Sequence, residues 1–114
     1  MTVVYDQAHQ LAQAVKESNE FQTLKSLQAQ VNAEETIKRM FENFRQKQLE
    51  LHMKQMQGQQ ITEQEKQQIQ QLFNTVQLNP TISKLLEAEQ RLNVMLEDVM
   101  KIVMEPTKEF YKEP

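Results

Sequence analysis

The chain has 114 residues, 39% of them hydrophobic and 25% charged, with a formal net charge of −3. That is one small domain's worth, with no global pull toward nucleic acid or an anionic membrane. One glycine, three prolines and 6% aromatics argue against a many-turned β fold, nineteen Gln and fourteen Glu favour helix, and the lack of Cys excludes disulfides, thiolate metal sites and iron–sulfur ligation. The start, Met1 to Asp6, has neither the basic nor the apolar segment of a signal peptide. No apolar run approaches the roughly 20 residues of a membrane span. The expectation is a soluble, cytoplasmic, all-α protein: a bundle of about five helices over 1–106, with a frayed tail at 107–114.

In chain order, Val4, Ala8, Leu11 and Val15 step along one side of a first helix. Ser18 and Asn19 have short side-chain oxygens that end it and cap the next. Phe21, Leu24, Leu27 and Val31 make the second stripe, with a bend at Asn32. A long third helix covers 33–57, with Ile37, Met40, Phe41 and Phe44 on one face and Gly58 as its C′ residue. In its second half Leu49, Leu51, Met53 and Met56 spread around the cylinder, which implies contacts on more than one side. Thr62 and Glu65 form a capping box for a fourth helix bearing Ile69, Leu72, Phe73 and Val76. Nine Gln between Gln55 and Gln71 read as solvated faces, since the tract contains both a cap and a helical stripe.

Asn79-Pro80 opens the fifth helix: Asn caps, and Pro at the first helical position gives up no hydrogen bond. From there Ile82, Leu85, Glu89, Leu92, Leu96, Val99 and Val103 step by threes and fours, the spacing of a coiled-coil seam, until Pro106 stops the helix. The two long helices, 33–57 and 80–104, carry opposite local charge, which favours an antiparallel arrangement side by side or pairing across a dimer.

Catalytic chemistry is not legible. One glycine rules out a phosphate loop. Asp6 stands three residues before His9, as in helical di-metal sites, but Leu49 holds that place before His52. Neither a metal nor a cofactor is expected, and the chain reads as no enzyme. Glu89 is the one ionisable group centred on an apolar stripe. It is a structural acid paired with Arg39, Arg45 or a Lys, or a residue that sets register or recognises a partner, with a general acid/base role as the third and least favoured reading. Met95, Met100 and Met104 widen the last apolar face, and Met53 and Met56 do the same for the third helix. Such side chains fill irregular cores or line adaptable interfaces. The interface reading takes Glu89, Leu92, Met95, Leu96, Met100, Val103 and Met104 together with Met53 and Met56 as the surface for a homodimer. A second reading sets Lys38, Arg39, Arg45, Lys47 and Lys54 against RNA phosphates, although interleaved Glu weakens it and direct nucleic-acid binding is not favoured.

Asn79-Pro80-Thr81-Ile82, followed by Ala88-Glu89-Gln90-Arg91-Leu92, resembles the C-terminal signature of the YlbF/YmcA family of small bacterial helical proteins, in its YheA-type branch. The long helix ending near a Gly and followed by a Gln-rich helix extends the similarity over nearly the whole chain. The resemblance implies a cytoplasmic, all-α, dimer-forming protein without enzymatic activity. Its relatives regulate competence, sporulation and biofilm formation through a complex that influences RNase Y and mRNA processing. The partners it implies are the protein itself, family paralogues or RNase Y-associated proteins. Those relatives are linked to iron–sulfur clusters held by cysteines, which this chain lacks.

Overall fold

The structure is a computed structural model, and it describes residues 3–111. Among them there are five α-helices and no strand: α1 Val3–Glu17, α2 Asn19–Asn32, α3 Glu35–Met56, α4 Glu63–Gln77 and α5 Pro80–Met104. A 3-10 helix, Glu105–Phe110, follows where the sequence alone reads as an unpatterned tail. Pro106 lacks the N–H an α-helix needs, and the Thr107 hydroxyl donates to the Met104 carbonyl at 2.6 Å, so the chain tightens into a 3-10 turn. Positions 112–114 of the expected tail lie outside the described residues.

Each helix boundary has a local cause. The Ser18 hydroxyl donates to the Val15 carbonyl at 2.6 Å and accepts from the Phe21 N–H at 3.1 Å, closing α1 and opening α2. α3 starts two residues later than the expected 33, because Ala33 lies in the turn and Glu34 takes an extended N-cap conformation. At the other end of α3, Gly58 N–H reaches the Gln55 carbonyl and Gln59 N–H reaches the Lys54 carbonyl. These are the two bonds of a Schellman cap, which requires a left-handed residue, and Gly58 supplies it with φ +79°. Thr62 and Glu65 form the capping box of α4. The Asn79 side chain accepts from the Ile82 N–H at 3.0 Å and caps α5.

The chain divides into two compact units. One, Lys25–Leu86, contains α3 and α4, the end of α2 and the start of α5. α3 packs on α4. Phe44 meets Phe73 with ring centroids 5.9 Å apart, and Lys54 meets Glu65 at 2.7 Å. Partners in α4 run backward as those in α3 run forward, so the two helices are antiparallel. Val31, Phe44, Leu51, Val76, Ile82 and Leu85 are the buried apolar side chains of this unit. Of the residues expected to make contacts on more than one side of the second half of α3, Leu51 is buried, whereas Leu49, Met53 and Met56 are exposed.

The other unit, Met1–Leu24 with Glu87–Pro114, contains α1 and the rest of α5. Among its described residues the buried apolar one is Ala88, and no large side chain is fully buried. Val15, Leu92, Met95 and Val99 are half-buried.

Candidate interaction surface

The seam of α5 changes character along its length. Ile82 and Leu85 are fully buried and Ala88 nearly so. Farther along the helix, Met100, Val103 and Met104 are 56%, 51% and 50% exposed. The same three-and-four spacing therefore serves as core at one end and as open apolar surface at the other. Leu96, Met100 and Met104 line a shallow groove with Asn93, Glu97 and Lys101. All six lie on one side of α5 because they recur at helical spacing.

Residues singled out from the sequence divide accordingly. Leu96, Met100, Val103 and Met104 are exposed, whereas Leu92, Met95 and Glu89 are half-buried, and Glu89 is not without a partner. Met53 and Met56 are exposed on α3, in the other unit. Sequence reasoning passed over Asn93, Glu97 and Lys101, which resemble ordinary solvated residues. The signal for the two charges is an acid and a base four positions apart, flanking Met100. Val3, Val4, Tyr5 and Leu11 on α1, and Phe110 and Tyr111 near the end of the described chain, add further exposed apolar side chains to the same unit.

The basic residues of α3 are engaged locally. Arg39 pairs with Glu35 at 3.2 Å and Lys47 with Glu50 at 3.6 Å. The Arg45 guanidinium lies 4.7 Å from the centre of the Phe41 ring and donates to the Gln48 carboxamide. Lys54 donates to both oxygens of Glu65, at 2.7 and 2.9 Å, while the Thr62 N–H donates to the same carboxylate. Together the Lys54 ammonium and the Thr62 N–H hold the Glu65 carboxyl well below its ordinary value of 4.5, at about 2. A row of cations already matched by carboxylates is a poor track for phosphates. Lys38 is half-buried on the same helix.

His9 and His52 are exposed on helix surfaces. Among the described residues no group of three or more His, Asp or Glu is placed to hold a metal ion, and no helix is long and apolar enough to cross a membrane.

Comparison with known proteins agrees with this architecture. Residues 4–107 match the family described as control of competence regulator ComK, YlbF/YmcA. A UPF0342 protein of Alkalihalophilus pseudofirmus is 54% identical over 114 residues, covering 100% of this chain and 97% of the relative. One from Halalkalibacterium halodurans is 53% identical, covering 100% and 98%. Among solved structures, a protein of unknown function (DUF964) from Bacillus stearothermophilus superposes with a TM-score of 0.88 at 36% identity, covering 96% of each chain. The structure of yheA from Bacillus subtilis gives a TM-score of 0.74 at 40% identity, covering 94% of this chain and 97% of that one.

Proposed function

The chain belongs to the YlbF/YmcA family, whose description is control of the competence regulator ComK, and from that premise we propose that it is a non-catalytic, homodimeric interaction module of regulatory type. One observation carries this reading. Among its described residues, the unit built from α1 and the C-terminal part of α5 buries no large side chain completely, yet it displays Leu96, Met100, Val103 and Met104 on α5 and Val4 and Leu11 on α1. Helices this short of buried area are marginal in water, and contiguous apolar surface on a small protein marks a place where another protein sits. Methionine suits such a surface because its flexible thioether adapts to the partner it meets.

The catalytic alternative has less to stand on. Glu89 sits half-buried on a helix, and the strongly shifted acid, Glu65, is explained by its cap and by Lys54. The RNA alternative needs the basic residues of α3, three of which pair with neighbouring carboxylates. Regulation by protein docking, in the cytoplasm and with family paralogues or RNA-processing factors as clients, fits an apolar surface better than either.

Sedimentation velocity of the purified chain across the micromolar range tests the reading. A concentration-dependent shift to twice the 13.5 kDa chain mass is the expected result. A strictly monomeric chain throughout that range overturns it.

A further inference from the structure

The open stripe on α5 is charged in a pattern that fits a copy of itself. Successive residues of an α-helix advance by about 100°. With Met100 and Met104 taken as the crest of the stripe, Leu96 and Val103 fall on one flank and Glu97 and Lys101 on the other. Glu97 and Lys101 are both exposed and both line the groove. One flank is thus apolar, and the other carries an acid and a base one turn apart.

Two helices related by a two-fold axis can run parallel or antiparallel, and this flank pattern separates the cases. In a parallel pair the charged flank of each helix faces the apolar flank of the other, so Glu97 and Lys101 lie against Leu96 and Val103. In an antiparallel pair like flanks meet. With the axis at Val99, Glu97 of each copy stands opposite Lys101 of the other, and Leu96 and Val103 close over the apolar side. An isologous interface demands this kind of self-complementarity: where one residue meets a second, the second must meet the first.

We propose that residues 93–104 of α5 form a self-complementary seam on which the same segment of a second copy docks antiparallel, with Glu97 of each chain against Lys101 of the other. This rests on the homodimer reading above and adds to it the surface, the direction and the register. The apolar crest supplies the driving force through removal of Leu96, Met100 and Met104 from water. The two ion pairs select direction and register, because like charges brought together at an interface are costly. The seam is only about three turns long, so association in the micromolar range is expected.

Charge exchange tests the proposal, read by sedimentation velocity. Both positions are exposed, so the helical circular dichroism of each variant stays that of the parent. Glu97→Lys places lysine against Lys101, and Lys101→Glu places glutamate against Glu97. Each alone weakens self-association roughly tenfold or more. The double variant, E97K with K101E, restores the pairs in reverse and recovers the parent's association. Mixing the two single variants yields a heterodimer from chains that pair poorly with themselves.

Cross-linking gives an independent reading of direction, helped by the absence of native cysteine. In the antiparallel seam, Asn93 of one copy lies beside Met104 of the other, while Asn93 and Met104 are each about 15–18 Å along the axis from their own counterparts. A chain carrying Asn93→Cys therefore joins one carrying Met104→Cys through a short bismaleimide, and neither joins itself. If the parent dimerises but the single charge variants do so equally well, or the double variant remains as weak as the singles, the seam is wrong and the homodimer stands. Self-linking at Asn93→Cys in place of mixed linking also overturns it. A parent that stays monomeric removes both the seam and the dimer.

Discussion

Lys54 in the last turn of α3 donates to both carboxylate oxygens of Glu65, at 2.7 and 2.9 Å, while Glu65 also accepts from the Thr62 N–H at 3.0 Å and closes the capping box of α4. One carboxylate thus ties the end of α3 to the start of α4. Charge-assisted bonds of this kind are stronger than neutral ones, and the bridge spans a loop that the Schellman cap at Gly58 has already turned.

The bridge makes a prediction about pH. The folded-state value of Glu65 is depressed to about 2 from an ordinary 4.5, so its contribution to stability is complete above 4.5 and is lost as pH falls toward 2. Glu65→Gln keeps an oxygen for the Thr62 N–H but removes the charge. The melting temperature of the parent should exceed that of Glu65→Gln at pH 6, and the gap should close between pH 4.5 and 2. A gap that persists at pH 2 would mean the charge is not its source.

Gly58 supports the same corner in another way. Its φ of +79° lies in the left-handed region, and a Cβ added there meets nothing within 4 Å. The penalty of Gly58→Ala is then backbone strain alone, about 1–2 kcal/mol. Urea unfolding should show a lower midpoint with an unchanged slope. Gly58→Asn, a residue that tolerates this region better, should lose less than the alanine variant.

In the α3–α4 unit, Phe44 is 2% exposed and packs on Phe73. Phe44→Ala removes the largest fully buried side chain and leaves a cavity, a loss of about 3–5 kcal/mol. A loss of that size is a large fraction of a small protein's total stability. The expected result is a much lower urea midpoint. Met56→Ala, at an exposed site on the same helix, should leave the midpoint nearly unchanged.

What is legible in the sequence here is what acts over a few residues. The Ser18 cap, the Thr62–Glu65 box, the Asn79 cap with Pro80 behind it, and Gly58 as C′ all work through backbone groups within four positions, and all are present in the structure. Burial is less legible. The stripe from Ile82 to Val103 has one period throughout, yet it is buried at one end and exposed at the other, because periodicity marks a face and not what covers it. Met100 and Met104 can be picked out as an adaptable surface, but whether methionines fill a core or line an interface depends on contacts distant in sequence. The Lys54–Glu65 bridge escaped for a related reason: its partners lie eleven positions apart on different helices, and each reads in the sequence as belonging to a different feature.

The exposed methionines permit a prediction that separates surface from core. Met53, Met56, Met100 and Met104 are at least half exposed, whereas Met40 and Met95 are only partly accessible. Mild peroxide converts accessible thioethers to sulfoxides, turning a flexible apolar side chain into a polar one. At chain concentrations below the association range, peptide mass spectrometry should find oxygen uptake first at the four exposed positions and later at Met40 and Met95. The α3–α4 core contains no methionine among its buried residues, so partial oxidation should leave the urea midpoint close to that of the untreated chain. Self-association should fall, because Met100 and Met104 form the crest of the α5 stripe. A variant with Met100→Leu and Met104→Leu keeps the apolar crest and has no sulfur there to oxidise, so it should stay associated after peroxide. If that variant loses association as readily as the parent, the sensitive methionines lie elsewhere, and Met53 and Met56 on α3 become the next positions to replace.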